Sequence, residues 1–162
     1  MAKLEAGIAR EDAFALLSEH NKEAFHIEHA ETLEGQWLDR AIDMIHDAGA
    51  QACVALKPNT PVDVIASVIG KLDMVLVMSV EPGFGGQKFM TDMMPKVEYL
   101  RNWANENHKA LWIQVDGGIA ASTAKTVADA GADVLVAGSA VFGAPDRQEA
   151  IENILQAAGV SL

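Results

Sequence analysis

The chain has 162 residues, half of them hydrophobic, with a formal net charge of −11 and a sequence pI near 4.7. That length supports one domain with a core but falls short of the roughly 250 residues of a complete (β/α)8 barrel. Twelve Lys and Arg against 23 Asp and Glu leave no basic footprint for nucleic acid, and no apolar run approaches the roughly 18 residues of a membrane span.

Residues 1–20 mix Lys3, Glu5, Arg10, Glu11, Asp12 and Glu19 with apolar residues at helical spacing. The segment is too acidic for a transit peptide and lacks the apolar centre of a signal peptide, so it reads as an amphipathic helix. From residue 24 onward, short apolar segments alternate with longer amphipathic ones. Strands are expected at 24–28, 51–56, 73–79, 111–115 and 133–137. Helices are expected at about 33–47, after Pro61, at about 92–105, at about 122–130, and from Pro145 or Asp146 to the end. Runs such as Met74-Val75-Leu76-Val77-Met78 suit strands buried on both faces, as in parallel sheets, and their alternation with helices argues for βαβ units. The echo between Asp47-Ala48-Gly49-Ala50 and Asp129-Ala130-Gly131-Ala132 marks two helix stops, each with a glycine free to turn left-handed. No linker interrupts the pattern, so residues 1–162 read as a single domain. The lone Cys53 cannot form an internal disulfide; it reads as a small buried hydrophobe in a strand and fits a reducing compartment such as the cytoplasm.

Functional residues in such folds gather at the C-terminal strand ends. After the third expected strand, Gly83-Phe84-Gly85-Gly86 places three glycines in four positions, a backbone able to wrap an anion with successive N–H groups or simply a turn. After the fourth, Asp116-Gly117-Gly118 sets a carboxylate at a strand tip, suited to catalysis or metal binding, or to capping the next helix. After the fifth, Gly138-Ser139 can deliver N–H groups to phosphate or merely begin a helix. The three loops together point to an anionic small molecule.

At these residues the chain resembles the ribulose-phosphate 3-epimerase family. Leu76-Val77-Met78-Ser79-Val80-Glu81-Pro82-Gly83-Phe84-Gly85-Gly86-Gln87-Lys88-Phe89 is similar to that family's signature loop. Val115-Asp116-Gly117-Gly118-Ile119 and Ala137-Gly138-Ser139-Ala140 resemble its next two sites, in order. Phe25-His26-Ile27-Glu28-His29 and Ala55-Leu56-Lys57-Pro58-Asn59-Thr60 resemble its fourth and fifth strand ends. The resemblance runs from about residue 24 to the end. It implies a partial (β/α) TIM barrel of about five parallel strands with flanking helices.

The activity implied is inversion at C3 of D-ribulose 5-phosphate to give D-xylulose 5-phosphate, by metal-dependent proton transfer between two acids. The family resemblance assigns phosphate binding to Gly83, Phe84, Gly85, Gly86, Gly117, Gly118, Gly138 and Ser139. It makes Asp116 a metal ligand and one of the two acid/base groups, and places Met78 over the reaction centre, where it is otherwise a core residue. The implied cofactor is a divalent cation, Zn2+ with Fe2+, Mn2+ or Co2+ as alternatives. The family's other acid stands in a His-x-Asp pair on its second strand, with a further His on the third and a Ser near the first, and none has a counterpart here. An N-terminally truncated epimerase is therefore expected. Two alternatives stand beside it: a fragment that keeps the phosphate cradle and binds sugar phosphate or a full-length subunit, and an epimerase of six-carbon ketose phosphates. His26 and Glu28 share one side of a strand and with Asp116 suit a facial metal site, or hold ordinary fourth-strand positions. His20, His29, His46 and His108 read as surface residues. The expected partner is a small sugar phosphate, without nucleic acid or membrane, in a homo-oligomer that covers exposed strand edges.

Overall fold

The computed structural model describes residues 34–83 and 85–160. The expected strand at 24–28, together with His20, His26, Glu28, His29 and Phe84, lies outside them. The described residues form two compact units, one of residues 34–52 and 67–71, the other of residues 53–66 and 72–160.

The first unit carries helix α1 (Glu34–Asp47). Its Ile42 is buried, and the helix stops at Gly49, whose φ is 73°. Asp39 and Asp43, one turn apart on α1, both reach Lys71, at 2.7 and 2.6 Å. The two carboxylates hold the Lys71 ammonium above the usual lysine range.

The second unit is a parallel sheet in the order β1-β2-β3-β4. The strands are β1 (Cys53–Leu56), β2 (Met74–Met78), β3 (Trp112–Asp116) and β4 (Val134–Val136). Helix α2 (Met94–Glu106) connects β2 to β3 and α3 (Ala121–Asp129) connects β3 to β4, while the one-turn α4 (Ser139–Phe142) and α5 (Arg147–Ala157) follow β4. Each strand–helix–strand step returns to a neighbouring parallel strand, the arrangement of a (β/α) barrel arc. The helix expected after Pro61 is instead a 3-10 turn at Val62–Ile65, with a second at Ile69–Lys71. β-branched residues and Gly70 give this stretch little helix propensity, and short 3-10 turns bridge it.

Register determines what each side of the sheet presents. Val75 pairs with Ile113 and Val77 with Val115, and all four are fully buried. On the other side Met74, Leu76 and Met78 are half-buried. The expectation of strands buried on both faces is therefore met on one face among the described residues. Four strands do not close a barrel, and the second face lacks an opposing described strand. Cys53 lies in a strand as expected but is exposed rather than buried. β1 is an outer strand of the described sheet, and Cys53 and Ala55 share its exposed side. His46 and His108 are exposed, as read from sequence.

At the N-terminal ends of the strands, Arg101 on α2 braces β3 to β4. Its Nε donates to Gly131 O at 2.9 Å and its guanidinium pairs with Asp133. The same Asp133 carboxylate accepts the Ile113 N–H at 2.8 Å. Asp146 caps α5, which begins where the sequence placed the closing helix, accepting N–H groups of Gln148 and Glu149 at 2.9 and 3.1 Å. No helix among the described residues is long and apolar enough to cross a membrane.

Candidate functional site

The β2 and β3 tips stand side by side, because Met78 is the register partner of Asp116, which in turn pairs with Val136 of β4. Beyond these tips lies a cleft of about 390 Å³. Met78, the loop residues Val80 to Gly83 and Gly85 to Gln87, then Asp116 to Gly118, and finally Gly138 and Ser139 line it. The fold thus brings all three loops singled out in the sequence to one opening, with Met78 and the half-buried Asp116 among its walls.

The loop after β2 is closed on itself. It leaves at Ser79 and returns at Met90, whose N–H donates to Ser79 O at 2.9 Å. Inside it, Gln87 Nε2 donates to Glu81 O at 2.6 Å. Outside it, Asn59 Nδ2 donates to Glu81 Oε1 at 3.4 Å, a long contact from the loop that follows β1.

The Gly117-Gly118 pair is required by how closely that loop returns. A Cβ on Gly117 would stand 2.6 Å from Val80 Cγ2, and one on Gly118 would stand 2.7 Å from Phe89 N. Both residues have positive φ, 126° and 65°. Side chains are excluded at both positions by crowding, and left-handed backbone disfavours them further.

The capping alternative for Asp116 fails. Helix α3 is capped by Thr123, whose Oγ1 accepts the Ala120 N–H at 2.9 Å. No described residue donates a hydrogen bond to the Asp116 carboxylate. A partly exposed carboxylate with no donor among the described residues, in the wall of a cleft, is placed to accept a proton from a ligand. Sequence reasoning missed Ser79 and the cleft-lining Glu81 and Gln87 as site residues, although all three stand inside the motif after β2.

A divalent cation does not fit the described residues. No three His, Cys, Asp or Glu come together among them, and the Asp116 carboxylate by itself is one ligand where such ions take four or more.

Known proteins resemble this chain in sequence or in fold. The ribulose-phosphate 3-epimerase of Bacillus subtilis is 50% identical over 118 residues, covering 72% of this chain and 54% of its own. That of Methanocaldococcus jannaschii is 48% identical over 119 residues, covering 74% and 51%. The chloroplastic ribulose-5-phosphate-3-epimerase of Arabidopsis thaliana is 46% identical over 129 residues, covering 80% and 45%. This chain therefore spans about half the length of these relatives. Among solved structures, a 3-hexulose-6-phosphate synthase superposes with a TM-score of 0.55 at 22% identity, over 78% of this chain and 57% of its own, a likeness of fold. The sequence model described as the Ribulose-phosphate 3 epimerase family matches residues 8–142. That span takes in every residue lining the cleft, and the chain belongs to the ribulose-phosphate 3-epimerase family.

Proposed function

We propose that this protein binds a ketopentose phosphate, D-ribulose 5-phosphate, in the cleft at the strand tips, and that Asp116 exchanges the proton at C3. The single observation that carries this reading is the convergence of Gly83, Gly85 and Gly86 with Gly117-Gly118 and Gly138-Ser139 around one opening that also holds Asp116. Backbone amides of such glycine-rich loops can hold the dianionic phosphate without a basic side chain, which suits an acidic chain. With the phosphate fixed, the sugar carbons extend toward the β3 tip. A ketone beside C3 acidifies the C3–H bond. The Asp116 carboxylate takes that proton, and the C–H electron pair moves into the enediolate. Inversion then requires a proton delivered to the opposite face by a second acid.

The test is incubation with D-ribulose 5-phosphate in deuterated water. Deuterium is expected at C3, because exchange on one face needs one base alone. Asp116→Asn should slow this exchange by about a thousandfold, with phosphate affinity nearly unchanged. Exchange retained in that variant overturns the role given to Asp116.

One observation favours a second reading, sugar-phosphate binding without turnover: among the described residues Asp116 is the one acid that ends a strand, and the other acid lining the cleft, Glu81, is exposed and accepts from Asn59. Binding with no C3 exchange in the wild-type chain is the result that selects it. The free Cys53 agrees with a reducing compartment, and we place the protein in the cytoplasm.

A further inference from the structure

Ser79 is fully shielded from solvent, the one buried polar side chain among the described residues. It stands behind the cleft rather than in its lining. Its N–H donates to Asp116 O at 2.8 Å, and its Oγ lies 2.7 Å from Gly117 O and 3.1 Å from Asp116 O. A hydroxyl carries one proton, so the shorter contact takes it and Oγ donates to Gly117 O. The backbone N–H is then the principal donor to Asp116 O. Two successive carbonyls are thus drawn toward one residue.

In a trans peptide the C=O and the following N–H point in opposite directions, and no described peptide bond is cis. Drawing the Asp116 carbonyl to Ser79 turns the Gly117 N–H away from Ser79. Drawing the Gly117 carbonyl there turns the Gly118 N–H away as well. The Gly118 N–H has no acceptor among the described residues, and both glycines line the cleft. Two adjacent glycines have the least hindered backbone of any dipeptide, so without an anchor these two peptide planes would reorient. Close approach to the loop after β2 demands the glycines, and the Ser79 contacts offset the freedom they bring.

We propose that Ser79 is a positioning residue, locking two peptide planes so that the Gly117 and Gly118 amides are aimed at the phosphoryl oxygens of the substrate. This rests on the ketose-phosphate reading above. The whole 162-residue chain, labelled with nitrogen-15, is titrated with inorganic phosphate and with D-ribulose 5-phosphate. In the wild type both ligands should shift the Gly117 and Gly118 amide resonances. Ser79→Ala should weaken both ligands about tenfold and abolish the Gly118 shift. Ser79→Thr, which keeps the hydroxyl, should restore both. If Ser79→Ala does not fold by circular dichroism, Ser79→Cys, of similar size and a weak donor, replaces it in the same comparison. Wild-type affinity in the hydroxyl-free variant, even with a lowered melting temperature, overturns the positioning role, as does a Thr variant that binds no better than it. Wild-type resonances that neither ligand moves overturn the ketose-phosphate reading itself, and the positioning role falls with it.

Discussion

The tightest constraint at the scale of single residues is the pair Gly117-Gly118. Among the glycines lining the cleft, these two alone would bring a Cβ against neighbouring atoms, so a side chain at either must move Val80 or Phe89. Gly118→Ala combines a left-handed φ of 65° with a contact to main-chain nitrogen, which cannot rotate aside as a side chain can. We expect it to lower stability by about 1–3 kcal/mol, measured by urea unfolding, and to weaken phosphate binding because the loop after β2 must shift. Unchanged stability in that variant would show that the loop gives way freely. This constraint was half legible from sequence. Two glycines after an acid announced an unusual backbone. The neighbours that crowd them, Val80 and Phe89, lie 37 and 29 positions earlier in the chain, and no local pattern reports them. Ser79 was missed for the same reason: its partners are 37 and 38 positions away, and one serine at the end of an apolar run has no periodicity to betray it.

At the scale of elements, the strands were the most legible part. Continuous apolar runs bounded by Gly, Pro and acidic residues located all four described strands to within about two residues. The stretch after Pro61 was misread, because apolar content alone suggests a helix while its β-branched residues and Gly70 favour short turns. How the β1 exit loop is held was invisible to sequence. Lys96, near the start of α2, sends its ammonium to three carbonyls of that loop, Lys57 O at 3.1 Å, Pro58 O at 2.7 Å and Thr60 O at 2.7 Å. Partial burial pulls this ammonium below the ordinary lysine range, and the three acceptors keep it satisfied. Lys96→Met retains the aliphatic stem and removes the donors. It should cost about 1–3 kcal/mol in urea unfolding and loosen the loop that carries Asn59 toward Glu81. Stability within about 0.5 kcal/mol of wild type, the range of ordinary surface changes, would mean that solvent replaces the clamp.

For the molecule as a whole, several large apolar side chains face outward. Phe142 is 70% exposed and Trp112 55%, with Ile151 and Val160 also on the surface. Arg147 stacks over the Phe142 ring at 5.6 Å and covers part of it. Exposed apolar area of this kind favours association, and we expect sedimentation equilibrium to give a mass above the 17.3 kDa of one chain. A single species at that mass, unfolding cooperatively, would refute self-association. The Arg101–Asp133 brace ties β3 to β4 at the ends of these strands opposite to Asp116. Robustness to heat and chemistry on the ligand are therefore written at opposite termini of the same strands. An engineer can redesign the braced end for a higher melting point while leaving the cleft, and whatever turnover it supports, untouched.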